Sequence, residues 1–220
     1  MEGRGNIAIY GAGAFGEEVY LLIEKINRSL PVANRWTQVG FFDDDPSLAG
    51  KFNSYGPVLG GTDVLNAFKG PLSIAFGIGS SKAIRSILSR IVKENVQFPN
   101  IIDPDTSFLD QASVSFGQGN VVGEGCRFSP KAKIGNFNII VNDCVFGHDA
   151  VVGDCNIFFP EVRLSGKSVV GNDCLFGMRS AVFQGMKVGD DVRLSAGSIL
   201  SMNARPGCTY MGNPARIMKM

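Results

Sequence analysis

The stretch from Phe116 to Arg205 runs FGQGNVVGEGCRFSPKAKIGNFNIIVNDCVFGHDAVVGDCNIFFPEVRLSGKSVVGNDCLFGMRSAVFQGMKVGDDVRLSAGSILSMNAR. Taking every sixth residue gives Phe116, Val122, Phe128, Ile134, Ile140, Phe146, Val152, Phe158, Leu164, Val170, Phe176, Val182, Val188, Leu194 and Leu200, fifteen apolar residues in step without an insertion. The next phase is mostly small (Gly117, Gly123, Ser129, Gly135, Gly147), and so is the phase two residues before (Cys126, Ala132, Cys144, Ala150, Ser168, Cys174). A period of six belongs neither to a helix nor to an open strand. It suits short parallel strands joined by tight turns, with three hexads closing one triangular coil. The apolar residue faces inward, Gly or Ser relaxes the turn, and the small residue fits the crowded corner. The cysteines of that small phase read as compact core fillers.

Upstream the period changes. Asn6–Tyr10 reads as a short strand, followed by Gly11-Ala-Gly13-Ala-Phe-Gly16 and a helical pattern from Glu17 to about Arg28. A second strand, Gln38–Phe42, ends at Asp43-Asp44-Asp45-Pro46, and a third, Leu72–Phe76, ends at Gly77-Ile-Gly79-Ser80-Ser81 before a helix through about Asn95. Strands alternating with helices imply a small parallel sheet covered by helices. The chain therefore divides into an α/β domain over residues 1–105, a β-helix over 106–205 and a terminal segment over 206–220 that leaves the hexad phase and is expected to fold back as a cap.

Composition narrows the function classes. The chain is 45% hydrophobic and 19% charged with a formal charge of +1, so nothing electrostatic points to nucleic acid. No run approaches the roughly 20 apolar residues of a membrane span, and MEGRGNIAIYGAGAFG lacks the pattern of a signal peptide, so a cytoplasmic protein is expected. The five cysteines form no CxxC pair and read as free thiols rather than a zinc site. The single histidine, His148, excludes any metal site built on several imidazoles, including a carbonic-anhydrase-like β-helix with three histidine ligands.

The glycine turn Gly11, Gly13, Gly16 follows a strand and opens a helix, the context in which backbone amides approach a diphosphate. The obvious reading is a dinucleotide dehydrogenase, but the Rossmann-like sheet is too short for two mononucleotide halves, so one nucleotide diphosphate fits better. A tight turn with no ligand is the alternative, as a solvated turn is for the acidic run, whose carboxylates could otherwise accept from ribose or a base. His148 lies in Phe146-Gly147-His148-Asp149, two residues past an inward position and so near a coil corner or outer face. An imidazole suits proton transfer near neutral pH, beside backbone amides that suit an oxyanion. Neighbours on a strand point to opposite faces, which leaves the pairing of His148 with Asp149 open.

The segments IAIYGAGAFGEEV, GFFDDDP, IAFGIGSS, GHDAVVGD and GNPARIMKM, together with the coils, resemble the sugar acyltransferases of the hexapeptide-repeat superfamily. The similarity is to the group holding bacillosamine-pathway N-acetyltransferases and sialic acid O-acetyltransferases, and it spans nearly the whole chain. It implies a left-handed β-helix, where the usual rule for parallel crossovers favours the right hand. It also implies a homotrimer, acetyl-CoA in the crevice between neighbouring subunits, His148 as general base followed by Asp149, and the Gly166 amide on the thioester carbonyl. The cofactor contacts it implies are Gly166, Gly177, Met178, Ala196, Pro214 and Arg216. For the nucleotide-sugar substrate it implies Gly11, Gly13, Phe15, Gly16, Asp43, Asp44 and Gly77. Two positions depart from the family pattern: Phe15 stands where many members carry histidine in the glycine turn, and Ile157 stands where many carry a second histidine near acetyl-CoA.

The resulting expectation is acetyl-CoA-dependent N-acetylation of a UDP- or dTDP-linked 4-amino-4,6-dideoxyhexose. O-acetylation of a free sugar such as sialic acid, and a non-catalytic trimeric nucleotide-binding scaffold, are the alternatives. Neither a nucleic acid nor a membrane is expected as partner.

Overall fold

The computed structural model describes residues 4–218; Met1–Gly3, and Lys219 and Met220 of the terminal GNPARIMKM motif, lie outside them. The chain forms two compact units, one through Pro104 and one from Asp105.

In the first unit, strands β1 (Asn6–Tyr10), β2 (Thr37–Phe42), β3 (Val58–Gly60), β4 (Leu72–Phe76) and β5 (Val96–Gln97) make one parallel sheet in the order β3-β2-β1-β4-β5. Helices α1 (Ala14–Ser29), α2 (Thr62–Ala67) and α3 (Ser81–Arg90) connect them. The central strands are apolar on both faces because helices cover both, and Ile7, Ile9, Phe41, Ile74 and Phe76 are fully buried. Strand order reverses about β1, and the segments after β1, β2, β3 and β4 all leave from the C-terminal edge of the sheet. That edge is where such folds bind ligands. The three central strands β2, β1 and β4 and the first helix lie where the sequence puts them. The short strands β3 and β5 and the single-turn helix α2 were missing from that reading, being too short for a period to register.

In the second unit, each coil contributes three two-residue strands. Arg127–Phe128 pairs in parallel with Val145–Phe146, Lys133–Ile134 with Val151–Val152, and Ile139–Ile140 with Ile157–Phe158. The stack is a left-handed parallel β-helix. Its axis is filled by the sixth-residue set, with the rings of Phe128 and Phe146 stacked at 4.8 Å and those of Phe158 and Phe176 at 4.8 Å. The coils begin before Phe116: Ser107–Phe108 already pairs with Arg127–Phe128. From Phe108 to Phe128 is 20 residues, against 18 from Phe128 to Phe146. Two extra residues and the 3-10 turn Gln111–Ser113 throw that first coil out of phase. The segment past the last hexad adds a parallel strand, Thr209–Gly212, on Arg193–Leu194, then reverses into antiparallel Ala215–Ile217.

The corners differ from the sequence expectation. The left-handed backbone falls two residues beyond the Gly/Ser phase, at Lys131, Phe137, Asp143, Asp149, Cys155, Glu161, Lys167, Asp173, Arg179 and Asp191, all with φ between 52° and 64°. Such a conformation costs a side-chain-bearing residue roughly 1–2 kcal/mol, and coil closure imposes it whatever the residue. The Gly/Ser phase serves close stacking instead: a Cβ on Gly147 would sit 2.4 Å from the Gly166 nitrogen of the next coil.

One buried column was not anticipated. Asn120, Asn138 and Asn156 occupy the small phase on successive coils and are fully buried. The Asn120 side-chain oxygen accepts from the backbone N–H (2.9 Å) and amide (3.0 Å) of Asn138, and Asn138 does the same for Asn156. Within the column the partner is the identical residue one coil away, and at its ends it is backbone, the Gly135 carbonyl for the Asn120 amide and the Cys174 N–H for the Asn156 oxygen, which makes burial tolerable.

Candidate functional site

The corner that follows strand Val145–Phe146 carries His148, with Pro130 on the coil before it and Gly166 and Gln184 on the two coils after. Backbone bonds hold the column in register: Lys167 N–H to the His148 carbonyl (2.8 Å), and Gly185 N–H to the Gly166 carbonyl (3.0 Å). Coil spacing is therefore the interstrand distance of a parallel sheet, about 4.8 Å.

His148 and Asp149 are turn residues rather than strand neighbours, which resolves their pairing. The positive φ of Asp149, 55°, brings its carboxylate to His148 Nδ1 at 2.8 Å. Both side chains are about half exposed, at 52% and 43%. The hydrogen bond to His148 holds the Asp149 carboxyl below its usual range, with Lys131 and Lys167 on the flanking coils adding attraction. A ring that donates from Nδ1 to Asp149 carries its lone pair on Nε2. That nitrogen lies over Gly166: a Cβ there would stand 2.4 Å from Nε2, 2.7 Å from Cδ2 and 2.8 Å from Cε1. Gly166 is the residue type that permits this ring position.

The corners do not all offer the same backbone chemistry. At the corner of Asn136, Asp154, Asn172 and Asp190, side-chain oxygens cap the outward N–H groups one coil back, as Asp154 Oδ1 does for Asn136 N (2.7 Å). At the histidine corner no such cap exists. The N–H groups of His148, Gly166 and Gln184 have no hydrogen-bond partner among the described residues, and Pro130 has none to give. The histidine thus heads a row of open amide donors running toward the C-terminal coils. Such donors suit an oxyanion and the amide carbonyls of an extended chain. Gln184 was not singled out from the sequence; only its 18-residue offset from Gly166 could have marked it.

The other expected cofactor residues are distributed differently. Gly177, Met178 and Ala196 sit on the corner that follows the preceding face, with Gly197 N–H bonded to the Met178 carbonyl at 2.8 Å and Met178 exposed. One chain does not bring them together with His148. Pro214 and Arg216 are exposed in the terminal hairpin. Ile157 is fully buried and presents no surface to a ligand.

In the first unit, Gly11, Gly16 and Gly77 are buried and interlocked. A Cβ on Gly77 would lie 2.5 Å from the Gly16 α-carbon, and one on Gly11, whose φ is +110°, 2.5 Å from the Gly77 carbonyl oxygen. These three set the approach of α1 to β4. Gly13 is exposed and caps α1 without a side-chain bond, and the N–H groups of Ala14 and Phe15 have no hydrogen-bond partner among the described residues; Phe15, half-buried, is part of its first turn. The acidic pair has internal roles. Asp43 accepts from Ala12 N–H in the glycine turn (2.9 Å) and from Asp45 N–H (2.9 Å). Asp44 accepts from the buried Tyr10 hydroxyl (2.6 Å), from Thr62 (3.2 Å) and, through both oxygens, from Arg90. Arg90 holds the Asp44 carboxyl down to about 2, and burial pushes the Tyr10 phenol up to about 12, helped by its bond to Asp44. Beside this cluster opens a pocket of about 590 Å³, walled by Pro46, Ala49, Leu59 and Val64 and bearing Asp63 and Arg90. Tyr10, Thr62, Asp63 and Arg90 were not among the site residues expected from the sequence.

Among the described residues no helix is long and apolar enough to cross a membrane, and no cluster of three or more metal-binding side chains forms. The five cysteines are free thiols, four of them buried.

A family model described as the PglD N-terminal domain matches residues 6–91. No curated protein sequence matches the chain. Among solved structures, the acetyltransferase domain of PglB from Neisseria gonorrhoeae, in complex with acetyl coenzyme A, is 26% identical, with a TM-score of 0.84 over 97% of this chain and 98% of that one. PerB from Caulobacter crescentus, solved with CoA and GDP-perosamine, shares the fold at 22% identity and a TM-score of 0.87, covering 98% of each chain. WeeI from Acinetobacter baumannii does so at 24% and 0.84, over 97% of this chain and 100% of that one.

Proposed function

We propose that the chain is a hexapeptide-repeat sugar acyltransferase that moves the acetyl group of acetyl-CoA onto the amino group of a nucleotide-linked amino sugar. The observation that carries the reading is the histidine corner: an exposed imidazole braced by Asp149 at 2.8 Å, lying over Gly166 at the head of a row of open amides. The PglB domain, alike over nearly its full length, is solved with acetyl coenzyme A.

His148 Nε2 takes the proton as the sugar amine attacks the thioester carbonyl carbon. The Gly166 N–H donates to the oxygen that becomes negative, and the open amide of Gln184 is placed for a carbonyl farther along the pantetheine chain. As the C–N bond completes, the C–S bond breaks and the proton held on His148 passes to the departing CoA sulfur. Asp149 orients the ring and stabilises its protonated form. Gly177, Met178, Ala196, Pro214 and Arg216 complete the CoA site from a neighbouring subunit of a homotrimer. Holding amine and thioester at one seam supplies much of the remaining rate by proximity.

The substrate is a UDP- or dTDP-linked 4-amino-4,6-dideoxyhexose, its diphosphate at the glycine turn and the first amides of α1. A panel of nucleotide amino sugars assayed for CoA release, with products weighed by mass spectrometry, tests the assignment: acetyl addition to none of them sinks it. His148→Ala is expected to lower kcat about 100-fold or more, and near-normal turnover by that variant removes the general-base role.

A further inference from the structure

We infer that the pocket after β2 and β3 takes the nucleobase, and that Arg90 and Asp63, rather than Asp43 and Asp44, read its edge; the inference rests on the nucleotide-sugar reading above. The carboxylates that the sequence nominated are already committed. Asp44 receives Tyr10, Thr62 and two nitrogens of Arg90. Asp43 spends each oxygen on a backbone N–H, one of them in the glycine turn. What remains unsatisfied in the pocket lining is different. Arg90 uses three of its donors, Nε on the Ser86 carbonyl and one on each terminal nitrogen to Asp44, and a guanidinium has five. The exposed Asp63 carboxylate has no hydrogen bond or ion pair among the described residues. One donor and one acceptor group therefore face the pocket with capacity to spare.

The charge balance tells which part of a nucleotide belongs there. Asp43, Asp44 and Asp63 line the pocket against the single cation of Arg90, so a diphosphate is repelled. A planar ring finds Pro46, Ala49, Leu59 and Val64 for its faces, and the donor and acceptor for a carbonyl and an N–H on its edge. A volume of about 590 Å³ admits a nucleoside. The hydrogen bond from Ala12 N–H to Asp43 fixes the pocket to the glycine turn, which has the open amides for the phosphates. Arg90 is also pinned by Asp44 before any ligand arrives, so its remaining donors are held in place rather than ordered on binding.

Calorimetric titration of the full chain with UDP, dTDP and GDP, and separately with inorganic pyrophosphate, tests this. The tightest nucleotide is expected to bind at least about ten-fold better than pyrophosphate. Arg90→Gln and Asp63→Asn are each expected to lose about ten-fold for that nucleotide, the scale of one charged hydrogen bond, while binding pyrophosphate within two-fold of wild type. Asp63 has no partner among the described residues, so its variant reads the pocket without breaking a contact seen in the fold. Variants that bind the nucleotide normally, or that lose pyrophosphate in parallel, overturn the inference and leave the nucleotide-sugar reading standing. A wild-type chain that binds neither nucleotide nor pyrophosphate overturns both.

Discussion

Gly166→Ala should disable catalysis while leaving the fold intact, and the size of the effect follows from the packing of the His148 ring on Gly166. A methyl group there would lie 2.4 Å from His148 Nε2, whereas carbon–nitrogen contact is comfortable near 3.6 Å. The ring must retreat by about 1 Å, and a misplacement of that order can lower a rate about 100-fold. Stability is little affected, because the obstructed group is the tip of a half-exposed side chain and Gly166 has no positive φ. The backbone amide survives the substitution, so any loss is not the loss of the oxyanion donor. Steady-state rates for wild type, Gly166→Ala, His148→Ala and the double variant complete a cycle. If the alanine acts by displacing the ring, it has nothing left to displace once His148 is gone, and the double variant should match His148→Ala. A Gly166→Ala enzyme with full turnover, or a double variant in which the two losses multiply, refutes the reasoning.

Two further outcomes concern polar groups, one in the buried amide column and one at the surface. Asn138→Ala removes one rung of the buried amide column and strands the N–H groups of Asn156; chemical denaturation should show a loss of about 2–4 kcal/mol, the scale of an unsatisfied buried donor added to lost hydrogen bonds. Asp44 has a folded pKa of about 2, depressed from the usual carboxylate value near 3.9. The stability it contributes is present above about pH 4 and lost as pH falls through about 2. The gap in Tm between wild type and Asp44→Asn should accordingly hold steady from pH 7 to 5 and close below about pH 4. A gap that persists at pH 2 contradicts the Arg90 pairing.

The coils were legible because one phase of the hexad is enforced at every turn: Phe116 through Leu200 must all face an axis too narrow for anything polar. The left-handed corners were not, because closure of the triangle dictates them and residues as unlike as Phe137, Cys155 and Arg179 comply. The asparagine column repeats only every 18 residues and sits within a phase that otherwise reads as small. His148 could be placed on a corner from its offset, but its contact with Asp149 depends on a backbone angle that no local pattern announces. In the first unit the glycine turn was readable from its spacing. The pairing of Asp44 with Arg90 joins residues 46 apart in sequence, and their meeting is a product of sheet order. The acidic run therefore looked like a ligand-binding pair when half of it is a foundation.

The reversal at the chain end bears on solubility. Each rung of a parallel coil stack presents the next with the same bonding edge, so nothing within the repeat itself says where to stop, and a second molecule could add its first coil to the last of another. After Thr209–Gly212 continues the stack in parallel, Ala215–Ile217 turns back against it. On that face the outermost edge now has the opposite direction and spacing to every rung beneath it, and a parallel newcomer finds no matching register. A hairpin of nine residues, Thr209 to Ile217, is in this sense a stop codon written in hydrogen bonds.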